Sequence, residues 1–356
     1  MKQLPLIRIT LSALFISEIL LQGLYAFSPG IKRNLSGNVV PACVIKDRRL
    51  GVRPRPLYRD HDRNGFRNKL VPLKTDIVAI GDSQTYGTGV PRERAWPQQL
   101  AELSKLSTYN ISWGTYGVTH GLLLLDDALA LTPMRIIQAF YSGNDLADAY
   151  TLVYHQRSLQ ELKTRNQTTL NAMHDAERIE TLEKKAWRLW GAADRRESAR
   201  KGFLTSIKRF LSRHSRLYGL VRAIRNKVFP DLKNKETPKR QEPFQRKYAF
   251  SFMNTRCRTE FTPEYRLCAL DLDDPRIKEG FRLSLEALCR MHKKAKAANT
   301  AFLVLCIPTK ELVFKEEVYR ALTPVPASYR TLVDNEERFW EQTKHALEKE
   351  KIPYID

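Results

Sequence analysis

A parallel α/β fold follows from three features of the sequence. Short apolar runs alternate with segments of helical spacing. The order along the chain is strand, helix, strand, helix, strand. Each run stops at a glycine, a proline or a serine–glycine turn, and such runs mark strands buried on both faces, as in parallel sheets covered by helices.

The first segment, residues 1–28, is expected to be a membrane anchor or signal. An apolar run from Ile9 to Phe27 follows a short basic start with Lys2 and Arg8, and its length is close to the roughly 20 residues that span a bilayer. Leu24-Tyr25-Ala26 makes a poor cleavage site, which favours an uncleaved transmembrane helix over a removed signal. Glu18 is costly in lipid and leaves an interfacial helix open.

Residues 29–75 read as an extended lead-in, with prolines at 29, 41, 54, 56 and 72. Within it, Asp60-His61-Asp62-Arg63-Asn64-Gly65 is expected to be a solvated turn. A metal ligand set around His61 is the alternative.

The first half of the core spans 76–150. Asp76–Ile80 (DIVAI) is the first strand and ends at Gly81. Ala95–Leu106 has helical spacing, with Trp96, Leu100 and Leu103 on one face. Tyr109–Trp113 is the second strand, Gly121–Leu131 a helix and Met134–Tyr141 the third strand.

Residues 151–270 break this order and read as a long, helical, basic insertion. Between 201 and 250 there are 14 Lys and Arg against 3 Asp and Glu. Phe203, Ile207, Phe210, Leu211, Leu217, Leu220, Val221, Ile224 and Val228 recur there at helical spacing. That pattern suits an amphipathic helix packed on the main body, or one lying on an anionic membrane.

The second half of the core is 271–356. Arg276–Ala298 is a helix with Ile277, Phe281, Leu285, Leu288 and His292 or Ala295 along one stripe. Ala301–Ile307 (AFLVLCI) is a buried strand, Asn335–Lys349 a helix, and Ile352–Ile355 begins a last strand. The expected architecture is a flavodoxin-like three-layer α/β/α sandwich, with an N-terminal transmembrane helix and the basic insertion.

Bulk properties narrow the function only broadly. The 356 residues carry a formal charge of +21, a field that attracts anionic surfaces without specifying a fold. The five cysteines, Cys43, Cys257, Cys268, Cys289 and Cys306, show no zinc-ligand spacing. Cys257 and Cys268 flank a loop-like stretch and are the one candidate disulfide.

Two turns carry the chemistry. Gly81-Asp82-Ser83-Gln84-Thr85 sits where the first strand turns into a helix, at the carboxyl edge where open α/β sheets bind ligands. A helix N-terminus there offers backbone N–H groups and partial positive charge to an oxyanion. Ser142-Gly143-Asn144-Asp145 follows the third strand and reaches the same edge, where the Asn144 side-chain amide can aim at the same oxyanion.

These two blocks resemble those of the SGNH/GDSL hydrolases, G-D-S-x-[TS] and G-x-N-D. The first matches throughout, and Gly143-Asn144-Asp145 is one residue tighter than the usual third block. The resemblance implies Ser83 as nucleophile, with its own backbone N–H in the oxyanion hole, and Asn144 as a side-chain donor. It also implies a donor N–H after the second strand, where Gly114 and Thr115 are both candidates. Gly81, Asp82, Thr85, Gly143 and Asp145 are the supporting residues.

The family's fourth block, D-x-x-H, follows the last core strand and supplies the base. No histidine of this sequence occupies such a place, and the chain stops at Asp356 within or just after that strand. The sequence is therefore expected to be a C-terminally truncated fragment of a longer reading frame. His120, nearest the active edge in sequence, reads as a surface or helix-capping residue.

The anchor and insertion make the pattern similar to envelope-associated members of the family, including alginate O-acetyltransferase-like proteins. The expected function is a serine esterase or O-acyltransferase acting on an acylated carbohydrate, with its catalytic body extracytoplasmic in a bacterial-type cell envelope. The alternative is a non-catalytic envelope protein that binds anionic glycan or lipid through the basic insertion. No cofactor, no metal and no nucleic acid are expected.

Overall fold

The computed structural model describes residues 43–189, 249–253 and 258–356. The anchor expected over 9–27 and the amphipathic stretch 203–228 lie outside the described residues. Among the described residues no helix is long and apolar enough to cross a membrane.

The lead-in is more ordered than its prolines suggest. β1 (Val44–Asp47) and β2 (Gly51–Pro54) form an antiparallel hairpin. The Asp47 carboxylate closes its turn by accepting from the Arg49 and Leu50 N–H groups at 2.8 and 2.9 Å. The expected solvated turn at 60–65 is a correction too: His61 and Asp62 are buried. His61 lies between the Arg55 carbonyl and the Tyr86 hydroxyl, and the Asp62 carboxylate collects four donors. Among the described residues no group of side chains is placed to hold a metal ion.

The core then proceeds as β3 (Ile77–Gly81), α1 (Ser83–Tyr86), α2 (Trp96–Ser104), β4 (Thr108–Ser112), α3 (Val118–Leu129), β5 (Arg135–Tyr141) and α4 (Asp145–Tyr150). The described start of the insertion carries α5 (Gln167–Ile179) and α6 (Leu182–Leu189). Its described end opens with two strands before the helix at Pro263–Leu270. β6 (Phe250–Met253) pairs antiparallel with β7 (Arg258–Phe261), because Phe252 and Phe261 alternate inward onto a small core with Val318, Tyr329 and Val333.

The remaining elements are α7 (Pro263–Leu270), α8 (Pro275–Ala297), β8 (Ala301–Ile307), α9 (Lys310–Val313), α10 (Lys315–Ala321), α11 (Ala327–Lys349) and β9 (Tyr354–Ile355). The last long helix starts eight residues before the expected Asn335, with Tyr329, Leu332 and Val333 extending its buried stripe.

Five strands form one sheet in the order β4-β3-β5-β8-β9, with every neighbouring pair parallel. In sequence order this is 2-1-3-4-5, the order of flavodoxin-type doubly wound sheets. One face carries Val78, Ile80, Ile136, Phe140, Phe302, Val304 and Cys306, which share a core with α3, α8 and α11. Phe140 meets Phe339 and Trp340 edge-on, and Phe339 in turn meets Phe281. On the other face α1 sits over Gly81, where an added Cβ would come within 2.3 Å of Thr85 Oγ1 and 2.9 Å of Ala139 Cβ. The chain is thus α/β with helices on both sides of a parallel sheet.

One expected detail changes. Leu103 does not join a buried stripe of α2 but is 82% exposed, because that helix covers the sheet's end strand and turns its last residues to solvent. Cys268 is a buried free thiol, and Cys257, its candidate disulfide partner, lies outside the described residues. Burial pushes that thiol up to about 11.

Candidate active site

In a 2-1-3-4-5 sheet the connections leave in opposite directions from the first and third strands, here β3 and β5, opening a crevice at their carboxyl ends. Both candidate turns emerge there. Asp82 caps α1, its Oδ1 accepting from the Gln84 N–H at 2.8 Å. Its Oδ2 accepts from the Ser83 hydroxyl at 3.1 Å. The helix that follows Ser83 has only four residues and ends at Gly87 in the left-handed conformation. So short a helix has little macrodipole, and what Ser83 gains is the local N–H of a tight turn.

The β4–α3 loop supplies the second side. An added Cβ on Gly114 would lie 3.9 Å from Ser83 Cβ, while Thr115 is exposed. Among the described residues neither N–H has an acceptor. Gly114, of the two candidates, is the residue set against Ser83. The loop returns at Gly117, where an added Cβ would stand 3.1 Å from the Asp145 carbonyl and 3.4 Å from Asp148 Cβ. Only a residue without a side chain lets the loop come this close to the first turn of α4.

The third side is the β5–α4 turn. Glu336 of α11, wholly buried, accepts from Ser142 Oγ at 2.6 Å and from the Thr309 N–H at 2.7 Å. This clamp fastens the ends of β5 and β8 to one helix. Arg266 of α7 donates to the Gly143 carbonyl at 3.3 Å, its guanidinium 5.6 Å from the Tyr141 ring centroid. Asn144 precedes α4 and points its side-chain amide at Asp148 Oδ2, 2.5 Å away.

Three carboxyl groups crowd behind this edge, and burial raises each of them. Asp82 is pushed up to about 6, mainly by desolvation. Asp148 is pushed up to about 7 by desolvation and the nearby Asp82 carboxyl, against the Asn144 hydrogen bond. Asp145 is raised well above the usual carboxylate range by burial and by both neighbours. Its Oδ2 accepts from the Tyr141 N–H at 3.0 Å, but among the described residues its Oδ1 has no partner, and neither has the buried Thr85 hydroxyl.

Among the described residues no histidine hydrogen-bonds Ser83. His120 is a correction, being neither at the surface nor a cap. It is buried in α3, stacked on Tyr116 at 4.9 Å, and desolvation lowers it to about 3. A neutral imidazole held in that slot is part of the packing. A cavity of about 450 Å³ lies around Asn68, Leu70 and Arg92 at the other end of the sheet. It holds none of the residues gathered here.

Sequence reasoning missed Asp148, Glu336 and Arg266. Asp148 had a signal, since it stands four residues after Asn144 on a helix and so above it. Glu336 is 194 residues from Ser142, and Arg266 is 123 from Gly143; neither pairing has a local trace. No family model matches this chain, and no curated protein matches it.

Proposed function

We propose that this chain is a serine ester hydrolase or O-acyltransferase of the SGNH/GDSL kind. What supports the reading is that Ser83 follows β3 with Gly114 set against it, and that Asn144 follows the neighbouring strand β5 at the same edge of the parallel sheet. Ser83 Oγ attacks the acyl carbonyl and gives its proton to a base. The N–H groups of Ser83 and Gly114, with the Asn144 amide, receive the negative charge that develops on the carbonyl oxygen. The carbonyl re-forms as the alcohol leaves with a proton, and water or a second hydroxyl then takes the acyl group from Ser83.

The base in such chemistry is a histidine. β9 runs parallel to β8 and ends at the same edge as Ser83. It stands three strand spacings, about 14 Å, from β3.

The substrate we favour is an O-acylated, most simply O-acetylated, carbohydrate of the cell envelope. The support is the resemblance of the two blocks and the anchor-like run at 9–27. Acetate release from O-acetylated polysaccharide by the full chain tests the reading. Ser83→Ala should lower the rate on the order of 10⁶-fold. An unchanged rate in that variant would remove Ser83 as the nucleophile, and no acetate release by the parent chain would favour the non-catalytic reading.

A further inference from the structure

Asn144 is held by a residue that the motif does not contain. Its amide Nδ2 lies 2.5 Å from Asp148 Oδ2, one turn along α4. An amide nitrogen has two N–H bonds, so one engaged with Asp148 fixes the direction of the other. Asn144 makes no side-chain cap to its own helix, and Asp148 is the one hydrogen-bond partner of its amide among the described residues. Gly117 of the β4–α3 loop lies beside Asp148, since a Cβ added there would stand 3.4 Å from Asp148 Cβ. Asp148 is therefore next to both the loop that presents Gly114 and the turn that presents Asn144.

We propose that Asp148 is a positioning residue: it orients the Asn144 amide toward the oxyanion of the Ser83 reaction, and its protonation state regulates that donor. The proposal rests on the esterase reading of the same site. An ionised carboxylate can only accept, so it holds the N–H₂ side of Asn144 in place. A protonated one brings its own O–H donor and favours the flipped amide, which would aim Oδ1 at the oxyanion instead. The charged groups facing Asp148 are Asp82 at the end of β3 and Asp145 on its own helix; the loop opposite meets it with Gly117. Burial and the Asp82 carboxyl together place its titration at about 7, where small changes in pH would change the fraction of oriented Asn144.

A double-mutant cycle on the Ser83-dependent rate tests this, using Asn144→Ala, Asp148→Ala, the pair, and Asp148→Asn. Loss of one oxyanion donor costs on the order of 100-fold, so Asn144→Ala should lower kcat by that factor. Asp148→Ala should lower kcat about tenfold at unchanged KM, and should cost nothing further in the Asn144→Ala background. Asp148→Asn keeps an acceptor for the amide and should stay within about threefold of the parent. The ratio of the parent's kcat to that of Asn144→Ala, which cancels the titration of the base, should fall as pH drops through about 7, and in the Asp148→Asn background the same ratio should not change with pH. Equal losses from Asp148→Ala in both backgrounds, or a ratio that still changes with pH in the Asp148→Asn background, would overturn the proposal. If Asp148→Ala does not fold, the Asp148→Asn ratio decides alone. A rate that survives Ser83→Ala removes the esterase reading and this assignment together, whereas a Ser83-dependent rate indifferent to Asp148 removes only the latter.

Discussion

Two buried aspartate groups, one in the lead-in and one at the carboxyl ends of β3 and β5, are built on opposite principles. Asp62 is 3% exposed and fully used. Its Oδ1 accepts from the N–H groups of Asn64 and Phe66 at 2.8 and 3.1 Å. Its Oδ2 accepts from Asn68 Nδ2 and Tyr109 Oη at 3.1 and 2.8 Å. Asn68 in turn pairs with the N–H and carbonyl of Asn110, closing the free edge of β4. At the candidate site Asp82, Asp145 and Asp148 repel one another, and among the described residues Asp145 Oδ1 and Thr85 Oγ1 lack partners. A saturated carboxylate builds structure. Crowded, unsatisfied ones hold free energy where a ligand or a reacting group is expected to meet them.

Replacing the saturated residue should have the largest effect. Asp62→Ala strands Asn68 and the Tyr109 hydroxyl in the interior, for a loss of about 4 kcal/mol. Thermal unfolding should then occur roughly 8–16 °C lower. A shift under about 3 °C would mean that water replaces the carboxylate and that the contrast drawn above fails.

The crowded group should respond with the opposite sign. Asp148 has a folded pKa of about 7, above the ordinary 3.8. Between those values the folded protein retains a proton that the unfolded chain releases, so this residue's contribution to stability fades as pH rises through that window. Asp148→Asn removes the penalty. Its stability relative to the parent should grow by about 2 kcal/mol from pH 4.5 to 7.5 in urea denaturation, allowing for partial solvent screening. A constant difference would show that the three carboxyls are not in conflict.

Gly117→Ala probes how tightly the loop and α4 meet. Its Cβ would stand 3.1 Å from the Asp145 carbonyl, so the loop must move by a few tenths of an ångström. About 1 kcal/mol of stability and about tenfold in rate should be lost. Retention of both would show that the close approach has no role.

The smallest effect is expected at His120. Its folded pKa is depressed to about 3, so what it contributes is present above pH 6.5 and is lost as pH falls below that value. His120→Phe should leave the rate unchanged within about twofold, and should flatten the fall in stability between pH 6.5 and 4. A large loss of rate would make His120 more than a packing residue.

The sheet and both turns were legible because their signals are local. DIVAI and AFLVLCI are short enough to be strands and too apolar to be anything exposed, and Ser83 and Asn144 each follow such a run directly. The hairpins at 44–54 and 250–261 were not legible. Proline spacing hid the first, and the second sits inside a segment whose composition reads as helical. The burial of His61 and Asp62 depends on Tyr86 and Tyr109, which lie 25 and 47 residues away. A polar stretch alone reads as solvated. Around the site, the local partners Asp82 and Asp145 came with the motif, Asp148 was recoverable from helical spacing, and Glu336 and Arg266 needed the fold.

The central claim is that Ser83 is a nucleophile facing an oxyanion hole. Treatment of the full chain with a fluorophosphonate, followed by peptide mass spectrometry, tests it most directly. The account predicts a single stoichiometric adduct on the peptide containing Ser83, lost in Ser83→Ala and slowed on the order of 100-fold in Asn144→Ala. Labelling that survives Ser83→Ala, or a Ser83 that stays unmodified in the folded full chain, would contradict it.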